Sequence, residues 1–239
     1  MEAWRLVVTW GADPAFNMGL DEALLEAEEA PPTLRLYSWS PDTLSLGYFQ
    51  SLADVPGREQ ARALVRRITG GGAIHHVREL TFSIAARLDH PLYRGATRES
   101  YQRVHSALAD ALRAAGVDAV PRGATTLESD RSGTGMCFHA STPLDLAWDG
   151  RKGVGTAQRR RRGRVLHHGS IKIGGSALET GVATLPGGPT PAELGELVVA
   201  AFAARFELAF QRAVPEPAER VRARELGARY LDPDFVAAR

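Results

Sequence analysis

The chain has 239 residues, 29 Lys+Arg against 28 Asp+Glu, and one cysteine, the size of one large domain or two small ones at roughly 100–200 residues each. Hydrophobic residues at 44% and charged residues at 24% exclude disorder and collagen-like order, and one cysteine cannot close an intramolecular disulfide, which fits a reducing compartment. Met1–Trp10 shows no charged leader before an apolar core, and the apolar stretch Leu197–Phe210 is broken by Arg205 and Glu207, short of the ~20 residues that span a bilayer; the expected setting is the cytoplasm, without membrane.

In chain order, Trp4–Thr9 reads as a buried strand. Asp13 as N-cap and Pro14 at the first helical position predict a helix ending near Pro31. Thr33–Trp39 and Thr43–Phe49 are expected strands turned at Pro41-Asp42. Pro56 opens an expected short helix through Leu64; Arg66–Thr69 then leads into Gly70-Gly71-Gly72, and Ala73–His76 and Thr81–Ala86 resume strand character. Thr97 can cap a helix with Tyr101, Val104, Leu108 and Leu112 on one face and Gly116 at its stop. Arg122–Gly135 reads as an exposed loop. Leu144–Trp148 and Arg151–Gln158 flank Asp149-Gly150, a pair suited to a two-residue hairpin turn. After a strand over Val165–Ile173, Thr190–Glu193 matches the capping box, with Leu194, Val198 and Phe202 behind it. A charged helix over Pro217–Leu226 is expected to stop at Gly227. No linker separates two parts, so the expectation is a single domain over residues 1–239, of class α+β, with mixed or antiparallel sheets flanked by helices.

Four segments can carry chemistry. Gly70-Gly71-Gly72 lets backbone approach a ligand closely, and the preceding Arg66-Arg67 pair could hold an anion; no Gly-Lys-Ser/Thr follows, so this is no Walker loop. A lone cysteine is usually a small buried hydrophobe, but Cys137 follows a polar loop, where sulfur can be exposed as a nucleophile. Across the expected hairpin, Gly153, Gly155 and Ala157 leave room against a strand. Lys152, among them, can pair with a thiolate and donate to a developing oxyanion. From Arg151 to Arg164 there are seven basic residues and no acid, a run that fits phosphate binding, an acidic protein partner or a mobile hairpin tip. Few aromatics interleave with it, against single-strand stacking. His167 and His168 are adjacent, so on a strand they face opposite ways and form no common metal site. Of the 29 basic residues only Lys152 and Lys172 are lysine, a bias that draws attention to both amines.

In their order, these segments resemble the biotin/lipoate protein ligase superfamily, and within it the cysteine-dependent octanoyltransferases of lipoate biosynthesis. The resemblance runs from about Phe16 to Ile173. It includes Asn17–Leu24, Thr33–Trp39, Thr43–Gln50, Arg66–His76, Glu79–Ser83, Cys137-Phe138, Gly150–Gln158 and His168–Ile171. It implies the family's α+β catalytic domain and an apolar tunnel for an octanoyl chain. Cys137 matches the family's nucleophile and Lys152 its activator. Arg67, Gly70, Gly71, Gly72, Ala73, His76, Gly155, Thr156, Ala157, Gln158, His168 and Gly169 fall on its substrate-binding segments. The implied donor is octanoyl-acyl carrier protein. The implied acceptors are a lysine of the lipoyl domains of 2-oxoacid dehydrogenases or of the glycine-cleavage H protein, with no nucleic acid partner, no metal and no cofactor. An ATP- and Mg-dependent lipoate–protein ligase and an octanoyl amidotransferase between lipoyl-carrying proteins are the alternatives. Departures from the family pattern are Gly72, often Arg in the transferases, Val77 for an acid, Leu144 for an aromatic and Gly153 for an aliphatic residue.

Overall fold

In a computed structural model of the chain, which describes residues 1–238, β1 (Glu2–Ala12) leads into α1 (Pro14–Glu26). Asp13 caps α1 by accepting from the Ala15 and Phe16 amides. The helix stops five residues before Pro31. The buried Arg164 guanidinium donates to the Leu24, Glu28 and Ala30 carbonyls, holding the chain there out of helical continuation. β2 (Thr33–Trp39) and β3 (Thr43–Leu46) follow as expected, the second three residues shorter.

The helix expected over 56–64 is absent. Two short 3-10 turns, Leu52–Asp54 and Arg58–Gln60, flank Gly57 at φ +78°, a left-handed conformation that breaks any helix there. The chain passes directly into β4 (Ala63–Arg66), parallel to β3. β5 (Ile74–His76), β6 (Glu79–Arg87) and α2 (Thr97–Ala114) come next. Thr97 is the first residue of α2 rather than its cap.

After β7 (Val120–Pro121), the 122–135 segment is a loop that buries Ser129 and Leu127. β8 (Leu146–Trp148) and β9 (Arg151–Lys152) form the Asp149-Gly150 hairpin, both turn residues at positive φ. The expected single strand after the turn is broken at Gly153. The Trp148 ring fills the space a Cβ would take there, 1.9 Å from its position. β10 (Val154–Arg161) and β11 (Arg164–Lys172) form a second hairpin, followed by α3 (Pro191–Phe206), β12 (Leu208–Ala213), α4 (Pro217–Leu231) and α5 (Pro233–Ala237). The capping box at Thr190 and Glu193 forms as expected. The C-terminal part contains a strand the sequence reading missed, β12, and α4 runs through Gly227 instead of stopping.

Six strands make the main sheet in the order β10-β11-β6-β2-β1-β12, with β1 parallel to β2 and β12 and the others antiparallel. Two three-stranded sheets, β4-β3-β5 and β7-β8-β9, flank it. Alternation along β6 shows what each face meets. Leu80, Phe82 and Ile84 enter the apolar core with α2 and α3, while Glu79, Thr81 and Ser83 are buried toward α1. One face is therefore oily and the other a buried polar network, and the polar one carries the site.

Candidate active site

Cys137 begins a 3-10 turn, Cys137–His139, that the glycine segment clamps. Its amide donates to the Ala73 carbonyl at 2.7 Å, and the Ala73 amide donates to the Gly135 carbonyl at 2.8 Å. A side chain at Gly72 has no room, because a Cβ there falls 2.7 Å from the Cys137 amide nitrogen. On β10, Gly155 lets the sulfur sit against backbone: its added Cβ would lie 2.9 Å from Sγ.

Lys152 arrives from β9, its amide donating to Ser129 Oγ at 2.9 Å. Its Nζ lies 3.6 Å from the Cys137 sulfur and donates to the Cys137 and Ala140 carbonyls at 2.8 and 3.0 Å. Asp145 Oδ2 is 2.9 Å away. Burial works against the charged form of this 2% exposed amine, yet the neighbouring Cys137 and Asp145 outweigh it, and the Lys152 pKa is raised. Residue spacing across the hairpin thus becomes a thiol–ammonium pair.

Three adjoining cavities lead inward from that pair. The outer one, about 560 Å³, is lined by Gly71, Gly72, Tyr101, Leu144 and Thr156 together with Cys137 and Lys152. A narrow one of about 30 Å³ shares Gly71, Cys137 and Thr156 with it and adds Gly70, Gly155 and Ala157. The innermost, about 20 Å³, shares Arg67, Ile74, His168 and Gly169 with the second and ends at Met18, Tyr37 and Trp39. Together they form a slot across the sheet, floored by the registered row Gly155–Ser170–Thr81–Tyr37.

A hydrogen-bond network fixes the inner wall. Asp21 accepts from Arg35, Tyr37 and Ser83 and contacts His168 Nδ1 at 3.1 Å; the other nitrogen of His168 meets Thr69 Oγ1 at 2.6 Å. Burial pushes the Asp21 pKa up, but His168 and Arg35 outweigh it and the net is a lowering. His76 stacks on Trp39 at 4.1 Å and meets Glu79 and Ser45. Burial outweighs Glu79 and keeps the His76 pKa below the usual histidine range.

Some expectations are corrected. Arg66 and Arg67 are turned to backbone carbonyls rather than left open toward an anion. Both are buried and donate to backbone carbonyls, Arg66 to Gly47, Gln50 and Val236, and Arg67 to Ser45, Gly70 and Gly72. Arg67 lines the slot while shaping the glycine turn. Gln158 faces away from the slot, donating to Ser100 and His167. Ala73 is fully buried and contributes only its backbone to the clamp. Arg159–Arg164 is a tight hairpin tip with Arg162 and Gly163 at positive φ, not one basic surface. Within it Arg164 is buried beneath α1 and Arg160 turns to Ser100.

Asp145 was missed, though it is the sole acid between Arg131 and Trp148, which was a usable signal. Lys172, the other lysine, is buried between Glu79 and Glu179 at 2.7 and 2.6 Å, with its Nζ 4.8 Å over the Phe138 ring. His167 and His168 point to opposite faces, as adjacency on a strand requires. Among the described residues, no helix is long and apolar enough to cross a membrane.

Residues 13–183 match the Lipoyl protein ligase A/B catalytic domain. An octanoyltransferase LipM of Moorella thermoacetica is 46% identical over 179 residues, covering 72% of this chain and 66% of that protein. Its counterpart in Bacillus subtilis is 38% identical over 183 residues, with 72% and 66% covered. The match thus spans just under two thirds of these relatives' length. A T. acidophilum protein solved with bound lipoic acid superposes at TM-score 0.82 with 22% identity over 100% of both chains. Lipoate-protein ligase A bound with ATP does so at 0.77 with 21% identity over 99% of both. At that identity the superpositions speak for the fold.

Proposed function

We propose, from the premise that the chain belongs to the lipoyl protein ligase A/B catalytic-domain family, that it moves an octanoyl group from acyl carrier protein to a lysine of a lipoyl domain or glycine-cleavage H protein through a Cys137 thioester. The observation that carries the reading is the Cys137 sulfur 3.6 Å from the Lys152 ammonium at the junction of the outer cavity and the slot.

In the first half-reaction the Cys137 thiolate attacks the donor carbonyl. A new S–C bond forms, the donor's S–C bond breaks, and the carrier thiolate leaves and takes a proton from solvent. Lys152 places positive charge beside the attacking sulfur throughout. Donors for the oxyanion remain in the glycine turn, because the Gly71 and Gly72 amides have no acceptor among the described residues. In the second half-reaction a neutral acceptor amine attacks the acyl-enzyme. The N–C bond forms, the enzyme's S–C bond breaks, Cys137 is restored as thiolate and one proton of the amine passes to solvent. Exchange of thioesters is nearly balanced and thioester to amide is downhill, so the sequence runs without nucleotide.

Intact mass spectrometry after mixing with octanoyl-acyl carrier protein, without ATP, tests this. One octanoyl adduct, cleaved by hydroxylamine and absent in Cys137→Ala, is the expected outcome. Acyl transfer to a lipoyl domain that persists in Cys137→Ala, or that needs ATP and free octanoate, would replace the reading with that of a ligase.

A further inference from the structure

We propose that the cavity between β10 and α1, bounded by Arg159 and Arg161, binds the phosphate of a phosphodiester-linked acyl thioester, so that the donor's arm lies along β10 from that phosphate to the Cys137 sulfur. This rests on the acyltransferase reading and adds where the donor is held.

Side chains alternate along a strand, so Gly155, Ala157, Arg159 and Arg161 share one side of β10. Gly155 backs the sulfur. At ~3.3 Å per residue, Arg159 and Arg161 stand ~13 and ~20 Å further along. Between them and the sulfur, that side of the strand carries only the Ala157 methyl, which lines the narrow cavity together with the Gly70-Gly71 turn. A phosphopantetheine arm has about thirteen bonds from phosphorus to sulfur and spans about 16 Å extended, given C–C bonds near 1.5 Å. That length ends between the two arginines.

The cavity there measures about 360 Å³ and is lined by three guanidiniums, Arg159, Arg161 and Arg229, against one carboxylate, Glu22. Glu22 is already engaged by Arg229 at 2.6 Å and by the Tyr230 hydroxyl at 2.7 Å. Arg161 lies 3.7 Å from Glu22 and 3.8 Å from Glu26, longer than hydrogen bonds. Arg159 has no carboxylate within ion-pair distance among the described residues; its guanidinium lies 5.5 Å over the Tyr48 ring. Arg159 is therefore left for an anion and Arg161 is held only by long ion pairs without a hydrogen bond, and the planar fork matches phosphate oxygens in pairs. A cationic acceptor lysine is disfavoured at the same place.

The test compares octanoyl-4′-phosphopantetheine with octanoyl-pantetheine as acylating agents for Cys137, followed by intact mass. Wild type is expected to prefer the phosphorylated donor by ten-fold or more in second-order rate, and Arg159→Ala combined with Arg161→Ala to bring the two donors to near parity. Retention of the preference in that double variant overturns the proposal, as does an equal loss with both donors. Loss of the preference in Arg98→Ala, at the outer cavity, also overturns it by moving the phosphate to that mouth. If no thioester acylates Cys137, the acyltransferase reading fails by itself. Calorimetric titration with 4′-phosphopantetheine still decides the site in that case, since binding to wild type that is lost in the double variant upholds it and equal binding ends it.

Discussion

Lys152 is charged against its surroundings. Burial favours the neutral amine, and only the neighbouring sulfur and Asp145 reverse that preference, so the amine stays charged. Lys152→Met is expected to keep the fold and lower the rate of Cys137 acylation by ~10²–10³, the usual loss for one oriented donor or charge. Lys152→Arg is not expected to restore it, because three oxygens already define a compact pocket around Nζ. Stopped-flow acylation with a chromogenic octanoyl thioester checks both. The second lysine makes the contrast. Lys172 serves two carboxylates, and burial pushes Glu179 from 4.5 up to about 7 despite Lys172. Its folded pKa lies above the unfolded value, so between pH 4.5 and 7 the native state holds a proton the unfolded chain has released. This contribution to stability is full at low pH and is lost as pH rises through 7. Urea melts should show wild type losing about 1.4 kcal/mol per pH unit from pH 5 to 7 relative to Glu179→Gln. Parallel curves for the two proteins would mean that Glu179 carries no proton in that window.

Helices α1 and α4 meet backbone to backbone, and this contact holds the α1 face over the slot. A Cβ at Gly19 falls 2.0 Å from the Ala223 carbonyl oxygen, and one at Gly227 falls 2.9 Å from that of Ala15. Gly19→Ala must push the helices apart and is expected to cost about 1–3 kcal/mol by overpacking, seen as a lower urea midpoint at unchanged slope. The same contact shows why part of the fold was legible in sequence and part was not. Asp13-Pro14, the Thr190–Glu193 box and Asp149-Gly150 act within a few residues, and each element they announce is present. Gly227 looked like a stop because its reason lies at Ala15 in α1, 212 residues away. The 56–64 segment reads as helix locally, but pairing of Ala63–Arg66 with β3 decides it. β12 was hidden in an apolar run whose partner is β1 at the other end of the chain. At the site, the arginine bias drew attention to both lysines, and the family resemblance paired Cys137 with Lys152. Asp145, the third member, carried one local signal, as the sole acid between Arg131 and Trp148, but nothing in the sequence tied it to Lys152. Arg66-Arg67 read as an anion site because sequence shows charge and not the carbonyls that surround it.

Across the whole molecule, the proposed acyl transfer makes the main sheet a ruler for the acyl chain. The row Gly155–Ser170–Thr81–Tyr37 crosses four strands at right angles to the chain, with the sulfur at its first member. Strands stand ~4.8 Å apart, so Thr81 lies ~10 Å and Tyr37 ~14 Å from that end. From sulfur to terminal carbon, an octanoyl chain advances about 10 Å at ~1.25 Å per bond, given C–C bonds near 1.5 Å. It therefore reaches Thr81, where the Trp39 indole donates to Thr81 Oγ1 at 2.8 Å and His76 stacks behind the ring. Two more carbons would need the space that hydrogen bond occupies, and opening it leaves the indole N–H unpaired, at about 1–3 kcal/mol, while Thr81 keeps its bond to Glu79. Acylation rates with hexanoyl to dodecanoyl donors are expected to peak at octanoyl and to fall roughly ten-fold or more by dodecanoyl. Trp39→Ala removes the end wall while leaving the sulfur and Lys152 untouched. It should move the optimum toward decanoyl with little change in the hexanoyl rate. An unchanged length profile in that variant would mean that the chain runs elsewhere, most simply into the 560 Å³ outer cavity.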